Sequence, residues 1–310
     1  MHGCRTLVLF AALTAPTLHA GQEASPPTVT LESAGQGTPQ RLAYKFSPGQ
    51  FVHYEVAASS KIVMQKGEVQ ATATNETQTW KQFRVVTVDE QGNGTLEPII
   101  TRVKMQAQFN NLPEVSWDSQ TGGEPPKDFA PLAQTIGRAH TRIVFAPNGE
   151  LLKITPLPGA PEHLAHAADK ADPKHNFLIM LPKEPVGVGA VWKDRFQTPV
   201  SVGNGLTQPI TLQRQYTLVG INGSIATIAL KTSVITPLNN AEIEGQLIQR
   251  TPSGTIEFDI DRGVIVSQAS SVNNQVVNAM GPGTRLQAES ETREKLAGPT
   301  ATVQPAALKR

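Results

Sequence analysis

Residues 82–99 read QFRVVTVDEQGNGTLEPI, and this stretch decides the fold class. Phe83 and Val85 alternate with Gln82 and Arg84, which is the period of a β-strand with one buried face. Glycine and asparagine follow at Gln91-Gly92-Asn93-Gly94, and both tolerate the positive φ angles that tight hairpins require. Because apolar residues resume after this turn, the stretch predicts an antiparallel β-hairpin.

The same turn signal recurs along the chain, as Asn-Gly pairs at Asn93-Gly94, Asn148-Gly149, Asn204-Gly205 and Asn222-Gly223. The chain of 310 residues holds 25 glycines and 24 prolines, which indicates many turns and few long helices. Aromatic residues make up only 5% of the chain, so we expect a core of aliphatic side chains. These features predict a mostly β fold (β-rich α+β) with antiparallel, twisted sheets and one or two short helices.

Two segments carry a helical pattern. The first runs from Asp128 to Ala139. The second runs from Pro161 to Ala171, where proline occupies the first turn and Leu164, Ala168 and Ala171 share one side.

An internal repeat is visible when the two halves of the chain are compared. Each half begins with a glycine turn that leads into a strand and continues through hairpins in the same sequence order. The matched segments are 48–54 with 188–192, 82–86 with 215–219, Leu96 and Ile99 with Ile225 and Ile228, and 143–152 with 256–266. The chain is therefore expected to contain two related β modules.

The predicted organisation has six parts. Residues 1–20 read as a signal peptide, and 21–40, rich in Pro, Gly, Ser and Thr, as a disordered linker. We expect the first β module at 41–157, a helical connector at 158–178, the second β module at 179–280 and a disordered tail at 281–310. The alternative for the N-terminus is a buried or frayed apolar segment.

The predicted signal peptide indicates the location of the protein, and the cysteine content limits its chemistry. The apolar run Leu7 to Leu13 is too short to span a bilayer, and Ala20 offers a cleavage site, so we expect a secreted or periplasmic bacterial protein without a transmembrane span. Cys4 is the only cysteine and precedes that run. Cleavage would leave no thiol for disulfides, catalysis or metal binding. The net charge of +1 argues against a nucleic-acid binder.

Trp117, Asp118 and Ser119 are the candidate ligand-binding residues, because a polar, flexible run follows them. An aromatic residue at a strand end beside such a loop is suited to the lip of a ligand cleft. The alternative is a core tryptophan followed by an Asp-initiated turn. Trp80 and Trp192 lie inside alternating strands, so we expect both in the core.

Metal and cofactor sites are not expected. His163 and His166 share one helical face, but zinc needs three or four ligands, and a solvated helix face is the alternative. Glu257, Asp259 and Asp261 alternate with apolar residues, which favours a solvated strand face over a calcium site. Neither nucleophile-elbow, zinc-protease nor P-loop motifs occur in the chain.

The chain resembles a family of uncharacterised secreted bacterial proteins. The resemblance covers most of residues 41–277 and depends on the segments Tyr44-Lys45-Phe46, Pro48-Gly49-Gln50, Tyr54, Trp117-Asp118-Ser119, Leu181-Pro182 and 186–192. That family implies no activity. A more remote architectural resemblance is to the half-barrel of periplasmic lipoprotein carriers.

These observations predict an exported, non-catalytic β protein with a binding or structural role, whose partner is a protein or an envelope component. The first alternative is a carrier of an apolar, lipid-like ligand, because two short helices would leave part of a twisted sheet uncovered. The second alternative is a hydrolase with a dispersed active site.

Overall fold

The computed structural model describes residues 29–121, 123–161, 177–203 and 206–298. The mostly β, antiparallel fold that the sequence predicts is confirmed. The strands are β1 Val29–Ser33, β2 Gln36–Gln40, β3 Phe51–Lys66, β4 Val69–Val88, β5 Gly94–Phe109, β6 Val115–Asp118, β7 Thr141–Phe145, β8 Leu151–Pro156, β9 Val186–Val188, β10 Val191–Gly203, β11 Leu206–Asn222, β12 Ile225–Val234, β13 Ser253–Asp259, β14 Val264–Val277 and β15 Thr284–Ala297.

One 13-stranded sheet contains nearly all of these strands. Its order is β1-β10-β11-β12-β13-β14-β15-β3-β4-β5-β7-β8, with β6 paired to β5, and β2 and β9 form a separate pair. The order divides into six strands, β1 and β10 to β14, followed by six more, β15, β3, β4, β5, β7 and β8. We call these the second half and the first half. The second half thus adds β1 to strands β10 to β14 of the second predicted module, and the first half adds β15 to strands β3, β4, β5, β7 and β8 of the first.

The glycine turns that begin the modules have the same geometry. In the first half, the Gly49 N–H donates to the Val85 carbonyl at 2.8 Å. In the second half, the Gly189 N–H donates to the Leu218 carbonyl, also at 2.8 Å. Both glycines have positive φ, +80° and +83°, which only glycine adopts without strain. The two turns are therefore equivalent in backbone conformation as well as in sequence.

Irregularities in the strand pairing also occur at equivalent places. The register shifts next to Val85 between β4 and β5, and next to Leu218 between β11 and β12. Beyond those shifts Leu96 faces Val85, and Ile228 faces Leu218. The counterpart of Leu96 is therefore Ile228, and the sequence comparison, which paired Leu96 with Ile225, was wrong at this hairpin because the two turns differ in length.

Two segments expected to be disordered contain strands, so both expectations were wrong. Within 21–40, β1 and β2 pair with β10 and β9. Within 281–310, β15 lies between β14 and β3 and pairs with both. The sequence pattern did not predict β15, because several of its inward positions, such as Ser290, Thr292 and Glu294, are polar. The predicted module boundary at residue 280 cuts through the β14–β15 hairpin.

Helices are short. A 3₁₀ turn at Lys127–Phe129 continues into α1, Ala130–Ala133, so the helix expected to reach Ala139 ends early. Its continuation is prevented by a bridge between Ile136 and Ile100. A second helix, α2 at Ala241–Gln246, was not predicted; Asn240 caps it by accepting from the Glu242 N–H at 2.8 Å. The predicted helix at 161–171 lies outside the described residues apart from Pro161.

The two halves share one core, so they are not separate domains. Phe83 and Phe145 of the first half belong to the same buried cluster as Trp192 and Phe258 of the second half. Both halves contribute side chains to this cluster, and we call the side of the sheet that faces it the inner face. Within the described ranges, no helix is both long and apolar enough to cross a bilayer. The predicted signal peptide at 1–20 lies outside those ranges.

Candidate functional site

The outer face of the sheet is polar where the longest strands lie side by side. Alternation puts Ala57 and Ser59 of β3 on this face, opposite Gln78 and Glu76 of β4. Gln78 and Glu76 in turn face Lys104 and Gln106 of β5. On the other side of β3, Arg293 and Glu291 of β15 complete the two rows. The centre of this surface has only small side chains, which leaves a depression between longer polar ones.

The candidate residues Trp117, Asp118 and Ser119 lie at the edge of this surface, on β6 and the turn after it. Trp117 is half-buried and packs against Phe129, with 6.4 Å between the ring centroids. The Ser119 hydroxyl accepts from the Val103 N–H at 3.0 Å, which fixes the end of β6 on β5. Asp118 initiates a turn by accepting from the Gln120 N–H at 3.0 Å.

Asp118 also forms an ion pair with Arg102. The Arg102 Nε donates to Asp118 Oδ1 at 3.1 Å, and its Nη2 donates to Oδ2. The Arg102 guanidinium covers the ring of Trp80, 4.3 Å from its centroid. Trp192 is fully buried in the core as expected, but Trp80 lies on the outer face under Arg102, so its expected core position was wrong. The register puts Trp80 opposite Arg102, and alternation then turns it away from the core.

The same ion pair sets the charge at this edge. The hydrogen bond from Arg102 holds the pKa of the Asp118 carboxyl below its usual range. The bond from Asp118 likewise raises the pKa of the Arg102 guanidinium. Asp118 is therefore a fixed, ionised carboxylate, and its oxygens are already engaged by Arg102 and the Gln120 N–H.

Two open grooves meet on this surface. The first, about 540 Å³, is lined by Trp117, Asp118, Thr121, Glu124, Pro126 and neighbouring residues of β5 and β6. The second, about 530 Å³, lies over the β15, β3, β4 and β5 surface described above. Lys104 and Gln106 line both, so the two form one continuous trough. We call it the outer groove.

Several side chains along the outer groove have no partner. In the described part of the chain, Lys104, Glu76 and Gln78 make no hydrogen bond or ion pair, whereas Arg293 pairs with Glu291. A cation, a carboxylate and an amide are thus free to bind other groups. The alternation of side chains along each strand is enough to predict that these residues lie on the outer face. Their alignment across strands depends on the register, which the hairpin turns set.

The equivalent surface of the second half does not have this chemistry. The β3–β4 ladder corresponds to the β10–β11 ladder. The first begins with the pair Phe51–Arg84, and the second begins with the pair Val191–Thr217. The counterpart of the Ser59–Glu76 pair is then Pro199–Pro209, and that of Ala57–Gln78 is Gln197–Thr211. The charged outer groove is therefore a property of the first half and not of the repeat.

The acidic residues of β13 do not form a metal site in the structure. Phe258 faces the core as predicted, but Asp259 is buried and accepts from the backbone N–H groups of Asp261 and Arg262, so its expected exposure was wrong. Among the described residues, no group of three or more His, Cys, Asp or Glu side chains is arranged to hold a metal ion. His163 and His166 lie outside those residues.

The inner face carries two ion pairs whose cations occupy equivalent positions. Lys81 pairs with Glu294 at 2.9 Å, and Arg214 pairs with Asp194 at 2.8 Å. Lys81 and Arg214 are counterparts, because Tyr54–Lys81 and Asp194–Arg214 occupy the same step of their ladders. An apolar ligand on this part of the inner face would lie against charged groups. The carrier hypothesis stays a prediction, as does the hydrolase alternative.

Comparisons with known proteins give distant likenesses. No protein-family model and no curated protein matches the chain. A lipovitellin structure, described by its lipid–protein interactions, has a TM-score of 0.47 at 16% identity over 86% of this chain, which spans 27% of the lipovitellin chain. A DUF1329 family protein from Desulfovibrio piger has a TM-score of 0.17 at 7% identity, covering 80% of this chain and 87% of the other.

A third solved structure is DynF from the dynemicin biosynthesis pathway of Micromonospora chersina. It has a TM-score of 0.21 at 6% identity, with 88% of this chain and 99% of the other covered. Likenesses of this degree say nothing about what the chain binds.

Proposed function

We propose that this chain is a non-catalytic binding protein that holds an extended polar ligand in the outer groove. The observation that carries the proposal is the continuous trough lined by the unpartnered side chains of Lys104, Glu76 and Gln78. Polar groups placed along an open cleft supply orientation and specificity, whereas a solvated surface needs no such depression. Their absence from the equivalent surface of the second half supports a role specific to this site.

The role agrees with export. A protein that acts in the periplasm or outside a bacterium meets envelope components and secreted polymers, and the groove is open along its length rather than closed over a small molecule. Under this proposal the Arg102–Asp118 ion pair is a positioning element, because it fixes β6 and therefore Ser116, which lies opposite Gln106 on the outer face.

A substitution that fills the groove with a large side chain tests the proposed binding function. Ser59 is exposed at the centre of the trough, and Ser271 of β14 is an exposed serine in the same cross-strand row that does not line it. We expect Ser59→Trp to lose, and Ser271→Trp to keep, binding to envelope polymers immobilised from a bacterial host, measured by biolayer interferometry on the full chain. Binding that Ser59→Trp leaves unchanged would overturn the proposal.

A further inference from the structure

The outer groove also restricts the class of its ligand. We propose that this ligand is a neutral saccharide chain, an inference that rests on the proposed function of the groove. Three features of the groove favour such a ligand: the paired backbone beneath the trough, the charge balance of its lining and the small side chains of its floor.

The main chain beneath the trough is already paired. β3 has β15 and β4 as neighbours, and β4 has β3 and β5, with continuous registers across the trough. Between β15 and β5 a peptide therefore cannot add as a strand, because the backbone N–H and C=O groups that such a strand would use are taken. Over this part of the trough only side chains are available for recognition, so the ligand must bring many donors and acceptors of its own.

The charges that line the trough nearly balance. Arg293 is paired with Glu291, and Asp118 is paired with Arg102. Among the described residues, Lys104 makes no hydrogen bond or ion pair but lies opposite Asp118 and attracts its carboxylate, and Glu76 and Glu124 are carboxylates without an ion pair. A polyanion such as a nucleic acid would need an excess of cations along its path, which this lining does not have.

Hydroxyl groups suit this lining. A hydroxyl both donates and accepts, so it can bind the Glu76 carboxylate, the Lys104 ammonium or the Gln78 amide without a matching charge. The floor is formed by Ala57 and Ser59, which lets a ring approach the sheet closely. An extended peptide would instead need pockets for its side chains, and the side chains that the register puts on this face between β15 and β5 are small or polar.

The length of the trough favours a chain over a single sugar. It crosses from β15 to β6, which is four inter-strand spacings of about 4.8 Å, or roughly 19 Å in all. A monosaccharide would leave most of the lining unused. We therefore expect affinity to rise with the number of sugar units until the trough is filled.

The test is a titration of the full chain with neutral oligosaccharides of increasing length, in which binding is measured by isothermal titration calorimetry. The set contains β-linked glucose, β-linked N-acetylglucosamine and α-linked glucose series, with a pool of soluble decapeptides and an anionic oligosaccharide as comparison probes. We expect saturable binding of at least one neutral series below about 1 mM, strengthening with length. Glu76→Ala and Lys104→Ala should each weaken it by about tenfold, whereas Ser271→Trp should leave it intact.

The outcomes separate the two proposals. If the peptides or the anionic probe bind and Ser59→Trp abolishes that binding, the saccharide inference is overturned while the groove keeps its function. If neutral oligosaccharides bind but Ser59→Trp has no effect, both proposals are overturned, because the site lies elsewhere. Circular dichroism of each variant shows that a loss of binding is not a loss of fold.

Discussion

The backbone N–H of Lys45 donates to the carbonyl oxygen of Gly263 at 3.2 Å, which joins the segment before β3 to the β13–β14 turn of the other half. The reverse contact also exists, since the Leu181 N–H donates at 2.8 Å to the carbonyl of Asn148, in the β7–β8 turn. Each half is thus closed by the lead-in segment of the other. This exchange explains why two repeated halves form one core.

Substitution of Gly263 tests the contact between Lys45 and the β13–β14 turn. Its φ is +63°, and a β-carbon there would lie 2.3 Å from the Lys45 nitrogen. Gly223 has a similar φ of +59° with open space around it. We expect Gly223→Ala to lower the free energy of unfolding by about 1–2 kcal/mol, from the left-handed conformation alone. Gly263→Ala should cost at least about 3 kcal/mol because the backbone of the first half must also move.

Urea denaturation followed by tryptophan fluorescence measures both substitutions. Equal losses for Gly263→Ala and Gly223→Ala would contradict a tight contact between the halves. A second, separate transition in Gly263→Ala would show that the halves unfold independently.

Asp259 is expected to stabilise the β13–β14 turn. Its Oδ1 accepts from the N–H groups of Asp261 and Arg262, both at 3.0 Å. Asp259→Ala leaves these donors without an acceptor, so we expect a loss of about 1–3 kcal/mol. Asp261→Ala removes an exposed carboxylate in the same turn and should change stability by less than about 0.5 kcal/mol. Thermal melts of the two variants provide the comparison, and a neutral Asp259→Ala would refute the proposed turn role.

The inner ion pairs allow a matched comparison of burial. Asp194 is fully buried and Arg214 keeps 18% of its side-chain exposure, whereas Lys81 keeps 31%. Asp194→Ala leaves the Arg214 guanidinium without its carboxylate and should cost about 3–5 kcal/mol. Lys81→Met, at the position equivalent to Arg214, should cost about 1 kcal/mol or less.

A double variant separates charge from packing at Asp194. The double variant Asp194→Leu/Arg214→Met has neither charge. We expect its free energy of unfolding to be higher than that of Asp194→Ala. Chemical denaturation measures all of these variants. If the double variant were the least stable of the set, packing around the pair rather than its charge would explain the loss.

Arg102 controls the titration of Asp118. Because the hydrogen bond from Arg102 lowers the pKa of this carboxyl, the ion pair stabilises the fold at pH values above the ordinary range of an aspartate. That contribution is lost as the pH falls through the lowered pKa. In Arg102→Ala we expect the pKa of Asp118 to rise towards its ordinary value, as measured by carboxyl ¹³C NMR. An unchanged titration would mean that the turn at Gln120, and not Arg102, sets it.

The local residue pattern predicted strands correctly where one face of the strand is apolar. Phe83 and Val85 face the core, and Gly49 and Gly189 form equivalent turns. The pattern was a poor guide for β15, whose inward positions include Ser290, Thr292 and Glu294. Such a strand is specified by its two neighbours, because their hairpin and register supply the pairing that its own hydrophobicity does not.

The candidate site shows the same division. The sequence placed Trp117 and Asp118 at a strand end beside a polar loop; Asp118 shares the outer face with Lys104, whereas Trp117 points to the opposite face and packs against Phe129. It gave no indication of Lys104, Glu76 or Gln78, which are separated along the chain and meet only across the β4–β5 ladder. Trp80 was misplaced because an aromatic residue in an alternating segment favours the core, while the ladder puts it opposite Arg102 on the outer face.

The sequence by itself determined the antiparallel β class, the glycine turns and the order of strands in both halves. These depend on residue period and on backbone conformations that only neighbours in sequence affect. The tertiary structure decided that β15 joins the halves, that lead-in segments are exchanged between them, and that the outer groove forms in one half alone. Each of these features depends on contacts between residues far apart in the chain, and no local pattern encodes which distant strand becomes the neighbour.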